Sequence, residues 1–582
     1  MEQELITLGI LFFFALVGGI LATRFKQPML MGLLLVGAFI GPHMLGLVSN
    51  ENMISMMIDF GAILMLFMIG LAFDLSKLQK IGLKTIIVGL LKSAIVVFIG
   101  FNVGLLLGLG VQASLFIGII LAFSSTVVIV KVLEEKELMN RQEVPLIIAV
   151  LIIEDILAVI ILTFFSGLVD KSSGLIGSIQ NLVISMCILI IAFMIFEKFI
   201  KPLIVWMLKT NNSDEIMTFL ALTLCAAFSY FAYFLKLSPA AGAFLAGSIV
   251  ASLPEAKRFE KAISPYNMII SSIFFIAIGT MVNFQSVQAN IMIILVLVLT
   301  VILTRLFAFG LIVYLFANFK GDKMFFSSMA MFSVGEFALL IAQESQKFNI
   351  GIDLMSISAA IIFITAVLMS LTLTYSNKLY DPANESIPYV LRKKLDNSSE
   401  FIRNISEELD LDNKYSQGLK KNFFRALLGI LVLMLSIFGW RKLVNVMVEY
   451  NASSTLMMAG YITALSVMAI SMLYILFRAR KTMRVFSEVF SNATDHRNSG
   501  KSRQIVRRVF IAFGMLCIAL LFPFAMFMFN LDYKYVIIPF VLIGIFVWEI
   551  YRLSREKSSD AELYIKSSSI HSRADLKNGW KI

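Results

Sequence analysis

Ile152 to Val159 reads IIEDILAV, two adjacent carboxyls, Glu154 and Asp155, in the middle of an apolar run from Val144 to Leu168. A run of that length predicts a helix that crosses a bilayer, with both acids where an unmatched charge costs several kcal/mol. Packing requires neither of them. Acids at membrane depth mark ion or proton paths, the bland alternative being a buried structural pair.

The rest of the chain agrees with a membrane setting. It is 59% hydrophobic over 582 residues with a mean hydropathy of +0.88, well above the usage of soluble domains. Spans are expected near 5–23, 28–41, 53–73, 83–108, 113–131, 144–168, 178–200, 216–235, 239–253, 266–283, 289–317, 325–343 and 352–376. The first has an acidic start, Glu2 and Glu4, and no small-residue cleavage site, so it reads as a retained span rather than a signal peptide. Alternate loops carry Arg24, Lys26, Lys77, Lys80, Lys84, Lys131, Lys136, Arg141, Lys198, Lys201, Lys209, Lys257, Arg258, Lys261, Lys320 and Lys323, sixteen in all, against Lys171, Lys236 and Lys347 opposite. That bias predicts an N-terminus outside and a cytoplasmic C-terminus. The net charge of +11 is thereby topological, which leaves membrane lipids, not nucleic acid, as the expected contacts. Cys187, Cys225 and Cys517 sit in apolar spans at unrelated spacings and imply neither disulfides nor a metal centre.

Two parts of the chain repeat each other. FMIGLAFD, with Gly70 and Asp74, returns 209 residues later as FIAIGTMVNF with Gly279 and Asn283. The same offset carries Phe123 and Ser124 onto Phe332 and Ser333, and an offset of 205 relates GAFIG at Gly37 to GAFLAG at Gly242. Repeats near 5–168 and 216–376, each of six spans and joined by a single span at 178–200, have opposite topology. Such inverted repeats are a mark of secondary transporters, whose site lies at the repeat interface near the midplane.

The fifth span of each repeat is unusual. LAFSSTVVIV puts Ser124, Ser125 and Thr126 in mid-membrane, and MFSVGEFALL puts Ser333, Gly335 and Glu336 at matching depth. Two structures satisfy that composition: a broken helix whose freed backbone lines a polar cavity, or an unbroken helix in close packing. Arg305, the only charge between Asn290 and Phe316, does not deprotonate and needs a carboxylate partner. Neighbouring helix residues point about 100° apart, so the expectation is that one of Glu154 and Asp155 neutralises Arg305 while the other faces an ion. Lys92 competes for the same acid, and Asp59 lies near enough to the outer end of its span to be solvated.

With LLLVGAFIGPHMLGLV, IDFGAILMLFMIGLAFDLSKL, LAFSSTVVIVKVLEEKELM, SPAAGAFLAGSIV, SIFFIAIGTMVNF and FSVGEFALLIA in this order, the chain resembles the monovalent cation:proton antiporter superfamily over roughly residues 5–376. The likeness is strongest to its second branch, the Kef-type systems and bacterial sodium/proton antiporters. The resemblance implies an all-α fold of 13 spans (6+1+6) with two crossed broken helices, a homodimer in a prokaryotic cell membrane, and an elevator-like shift. It implies that Asp155 is the ion-facing acid, the metal site for Na⁺ or K⁺, with Ser124, Ser125 and Thr126 at the crossing and Arg305 as the basic residue. The residue before the aspartate is Asp, Asn or Gln among members of the superfamily. Here it is Glu154, which leaves ion choice and stoichiometry open.

The domains expected are therefore 1–377 as the antiporter membrane domain, 378–423 as a cytoplasmic connector, 424–552 as four accessory spans (near 424–440, 455–477, 508–530 and 535–552), and 553–582 as a cytoplasmic tail. No Walker A sequence occurs, which argues against an ATP-driven pump, and no GxGxxG turn opens a nucleotide-binding domain. No enzymatic activity and no cofactor are expected. The function expected is exchange of Na⁺ or K⁺ for protons by alternating access, the alternatives being a cation channel of the same fold or a non-transporting sensor or scaffold.

Overall fold

Backbone surrounded by hydrocarbon must satisfy its own hydrogen bonds, and the computed structural model is helical nearly throughout its described residues. These are 2–25, 27–72, 83–168, 198, 202, 204, 207, 213–235, 237–317, 319, 321–348 and 350–374 of a first unit, Met1–Glu400, and 466, 470, 474, 477, 481, 508, 514–527, 533–546 and 548 of a second, Phe401–Ile582. The first unit runs α1 (Glu2–Arg24), α2 (Met29–Ile40), α3 (Glu51–Ala72), α4 (Leu83–Leu106), α5 (Val111–Ala122), α6 (Thr126–Glu135), α7 (Val144–Leu168), α8 (Asp214–Phe234), α9 (Pro239–Ala251), α10 (Ala256–Thr280), α11 (Phe284–Ala289), α12 (Ile291–Ala317), α13 (Asp322–Ala330), α14 (Phe337–Ser345) and α15 (Leu354–Thr374).

Among the described residues, α1, α3, α4, α7, α8, α12 and α15 are long and apolar enough to cross a bilayer, and α10, bent and with Pro265 inside it, makes an eighth. The chain is a multi-pass membrane protein. Its outward surface agrees: Phe12, Phe13 and Leu16 on α1, Phe219 and Phe234 on α8, and Met292, Leu295 and Phe307 on α12 are exposed, as lipid-facing side chains are. Two expectations need correction. The span placed at 266–283 begins at Ala256, so Lys257, Arg258 and Lys261 belong to the first turns of α10 instead of a loop. The spans placed at 113–131 and 325–343 are each two short helices, α5 with α6 and α13 with α14.

Within the first unit the helices form two groups. In one, α3 packs on α9 and α10, α2 on α1 and α10, and α8 on α9. Small residues bring these backbones together. A Cβ added at Gly37 of α2 would lie 2.3 Å from the Ile276 carbonyl oxygen and 2.9 Å from Gly279 Cα of α10. One added at Gly247 of α9 would lie 2.1 Å from the Phe67 carbonyl oxygen and 3.0 Å from Gly70 C of α3. In the other group, α4 packs on α5, α7 and α12, and α14 packs on α5, α7 and α15. Both ends of this group are tied. Phe116 of α5, Phe165 of α7 and Phe348 just past α14 meet with ring centroids 4.6, 5.4 and 5.9 Å apart. At the opposite end the Arg141 guanidinium lies 3.9 Å over the Phe326 ring of α13 and 3.4 Å from the Asp322 carboxylate.

The second unit shows two apolar helices, α16 (Gly514–Phe527), inside the span expected at 508–530, and α17 (Lys534–Phe546), which begins one residue before the span expected at 535–552. The connector at 378–423, the span at 424–440 and the tail at 553–582 lie outside the described residues, as do the spans at 178–200 and 455–477 but for isolated positions.

The close approach of α9 to α3 leaves no room for a methyl group. Gly247→Ala is expected to destabilise the protein by about 1–3 kcal/mol through overpacking, seen as a lower melting temperature in detergent. Gly9→Ala, inside α1 where a Cβ would meet nothing within 4 Å, should not lower it.

Candidate functional site

The site grows from the two breaks. α5 stops at Ala122 and α6 starts at Thr126, and between them Phe123 and Ser125 are extended, with φ −95° and −83°. The second break lies between Ala330 and Phe337. The two unwound segments pair with each other. Ser124 and Val334 form an isolated antiparallel bridge, the Ser125 N–H donates to the Ser333 carbonyl at 3.1 Å, and the Gly335 N–H donates to the Phe123 carbonyl at 3.0 Å. Val334 N–H is met by Thr365 Oγ1 of α15 at 3.2 Å. Backbone freed by one break is thus satisfied by the other, which resolves the choice between a broken and an unbroken helix in favour of the break.

Such an approach needs a glycine. A Cβ on Gly335 would stand 2.6 Å from the Ser124 carbonyl oxygen and 3.0 Å from the Ser125 nitrogen, both backbone atoms that cannot yield without opening the bridge.

A helix that ends in the membrane leaves its last carbonyls without partners and carries a partial negative charge there. Two cations meet that end of α5. The Lys92 ammonium, from α4, donates to the Ala122 carbonyl at 2.9 Å and to Ser124 Oγ at 3.0 Å. Arg305 Nη2 donates to the carbonyls of Leu121 and Ala122 at 2.9 and 3.2 Å. Arg305 sits in a π-helical stretch of α12, Thr304–Phe309, a local widening that occurs often at functional sites. Both side chains are fully buried.

The acids are arranged around the same break. Glu154 Oε1 pairs with the Lys92 ammonium and its Oε2 accepts the Ser124 backbone N–H at 2.8 Å. Asp155 Oδ2 accepts from Thr126 Oγ1 at 3.1 Å. Glu336 Oε2 accepts from Ser125 Oγ at 3.0 Å, while Ser125 Oγ itself accepts the Val128 N–H and so caps α6. Asp155 lies within electrostatic reach of both Glu336 and Glu154. Glu154 is fully buried, Glu336 is 5% exposed and Asp155 is 9% exposed, the largest value among these charged groups.

All nine residues singled out in the sequence, Ser124, Ser125, Thr126, Glu154, Asp155, Arg305, Ser333, Gly335 and Glu336, therefore lie at the two breaks or touch them. The partner assignment differs from the expected one: Glu154 is paired with Lys92, and Arg305 holds α5 carbonyls. The reason is which helices adjoin, since α4 packs directly on α7 and carries Lys92 to Glu154. Asp59 lies apart from this cluster; it is exposed and accepts from Gln343 Nε2 at 3.3 Å. Thr365 was not foreseen, because one hydroxyl in an apolar final span gives no signal of what it meets. Among the described residues no three His, Cys, Asp or Glu side chains are placed to hold a metal ion between them. The oxygens at Asp155 are of the hard kind that alkali cations take.

A family model described as "Sodium/hydrogen exchanger, transmembrane" matches residues 11–375. A Na⁺/H⁺ antiporter of Enterococcus hirae is 30% identical over 336 residues, 57% of this chain and 87% of that protein. The probable Na⁺/H⁺ antiporter GerT of Bacillus cereus is 30% identical over 353 residues, 58% of this chain and 92% of its own. The Na⁺/H⁺-K⁺ antiporter GerN of the same organism is 30% identical over 330 residues, 56% of this chain and 83% of its own.

Gly335→Ala is expected to wedge the paired segments apart, at a cost of about 1–3 kcal/mol as for other overpacked sites. Thermal melting in detergent should fall accordingly, and an unchanged melting temperature would count against the tight crossing.

Proposed function

Because the chain belongs to the sodium/hydrogen exchanger family, we propose that it is a secondary active transporter that exchanges a monovalent cation, Na⁺ or K⁺, for protons, with Asp155 as the site both occupy in turn. One observation carries this reading. The charges gathered at the breaks are three carboxylates, Glu154, Asp155 and Glu336, and two cations, Lys92 and Arg305. With every group ionised the cluster has one negative charge in excess. A net charge held out of water is costly, and a single H⁺ or a single alkali cation removes it equally well.

Asp155 is the group free to accept either. Glu154 has both oxygens engaged by donors fixed to the protein, and the same hydroxyl that holds Glu336 also caps α6. Asp155 is held by the Thr126 hydroxyl and is the least buried of the three acids. A proton on its carboxyl leaves no charge for the cation, and a bound cation repels the proton. Competition of that kind couples the two fluxes when access alternates between the two sides.

The fold supports alternating access through its repeats. Gly37 and Gly242, and likewise Gly70 and Gly279, are the equivalent positions of the two sequence repeats, and in space α2 of the first repeat packs on α10 of the second while α9 of the second packs on α3 of the first. That reciprocal exchange of contacts is what a pseudo-two-fold axis between inverted repeats produces. We accordingly take the membrane domain as a 13-span, 6+1+6 antiporter fold with its N-terminus outside, acting as a homodimer.

Reconstituted protein should dissipate an imposed pH gradient when Na⁺ or K⁺ is added, and Asp155→Asn should abolish this, a loss of at least about 100-fold for the group that carries both ions. Retained exchange in Asp155→Asn would remove that residue from its role. Cation flux that continues without proton movement would favour a channel instead.

A further inference from the structure

Lys92 stands at the centre of the cluster, and beyond its charge the exchange chemistry gives it nothing to do. Its ammonium has three N–H groups, and all three are spent on protein: the Ala122 carbonyl at 2.9 Å, Ser124 Oγ at 3.0 Å and Glu154 Oε1. Glu154, in turn, gives Oε1 to Lys92 and Oε2 to the Ser124 backbone N–H at 2.8 Å. Both side chains are 0% exposed. Arg305, which grips the same end of α5, is different. Among the described residues its Nε and Nη1 have no hydrogen-bond partner and it forms no salt bridge to Glu154.

We propose that Lys92 is a positioning residue of the exchange site: it converts Glu154 from a possible ion ligand into a strut that fixes the Phe123–Ser125 break. The geometry supports two effects at once. The strut ties α4, α7 and the break together through Ser124, whose neighbours Ser125 and Thr126 hold Glu336 and Asp155. It also holds Glu154 away from the cation, although Glu154 is the immediate chain neighbour of Asp155. Without Lys92, a second carboxylate with no salt-bridged cation would stand beside the first, and the cation would meet two acids instead of one.

The inference rests on the exchange reading above, and the test separates the two. Lys92→Met, Glu154→Gln and the double variant are compared with the natural protein in proteoliposomes, measuring maximal rate and apparent KM for Na⁺ and K⁺, and in detergent, measuring melting temperature. Breaking a buried ion pair from one side leaves a lone charge, whereas replacing both partners does not. In the double variant, the carboxamide that Glu154→Gln introduces can still accept from the Ser124 N–H that Glu154 Oε2 accepts in the natural protein. Each single variant should therefore lose at least about tenfold in rate while the double recovers to within about threefold of the natural protein, a strongly non-additive cycle. Lys92→Met should also change apparent KM by several-fold, and the double should restore it. A purely structural role would lower the amount of folded protein and leave KM where it was.

Three outcomes overturn the proposal: a folded double variant as inactive as the single ones, a KM for Lys92→Met equal to that of the natural protein, or a KM that stays displaced in the double. If Lys92→Met does not fold, the folding, rate and KM of the double decide. If the natural protein shows no exchange at all, the exchange reading fails by itself, and additive effects on melting temperature would still overturn the strut.

Discussion

Everything at this site depends on a helix that ends where there is no water. The carbonyls of Leu121 and Ala122 and the amides after them would each remain unpaired in hydrocarbon at a cost of several kcal/mol. The protein meets that cost with its own groups. A second broken helix supplies backbone partners, and two cations meet the exposed end of the first. The acids follow from the cations, because Lys92 and Arg305 could not be buried without negative charge nearby. Carboxylates at membrane depth are thus a consequence of the break: the opened backbone draws in positive charge, and the positive charge permits them.

That arrangement also divides labour between two neighbouring acids that look alike in sequence. Helical rotation points Glu154 toward α4 and Asp155 toward Thr126 at the start of α6. One side chain is locked by a cation and an amide. The other keeps a single hydroxyl partner among the described residues and the greater exposure. The ties at the two ends of this helix group, the ring cluster of Phe116, Phe165 and Phe348 and the Arg141 contacts with Phe326 and Asp322, hold the broken helices as one piece.

Much of this was legible in the residues. The apolar run around Glu154 is a helix with the expected bounds, Val144–Leu168, because length and hydropathy decide a span with little help from tertiary context. Hydroxyls at 124–126 and a glycine at 335 suited either a break or an unbroken, closely packed helix, and only the pairing of the two unwound segments decides between them. The pairing of charges was not legible. Lys92, Glu154 and Arg305 come from three different spans, and one sequence does not say which helices adjoin; only the packing of α4 on α7 selects Lys92. The start of α10 was misplaced for a related reason: its basic residues interrupt the apolar run but not the helix, which extends beyond the hydrophobic stretch.

The most direct test is to count protons. Titration of Na⁺ or K⁺ into detergent-solubilised protein, with heat measured in buffers of different ionisation enthalpy, reports protons released for each cation bound. Competition at one carboxylate is expected to release up to about one proton per cation, with affinity that weakens as pH falls and with both heat and release absent in Asp155→Asn. Saturable cation binding that releases no proton at any pH, or that survives in Asp155→Asn unchanged, would contradict it.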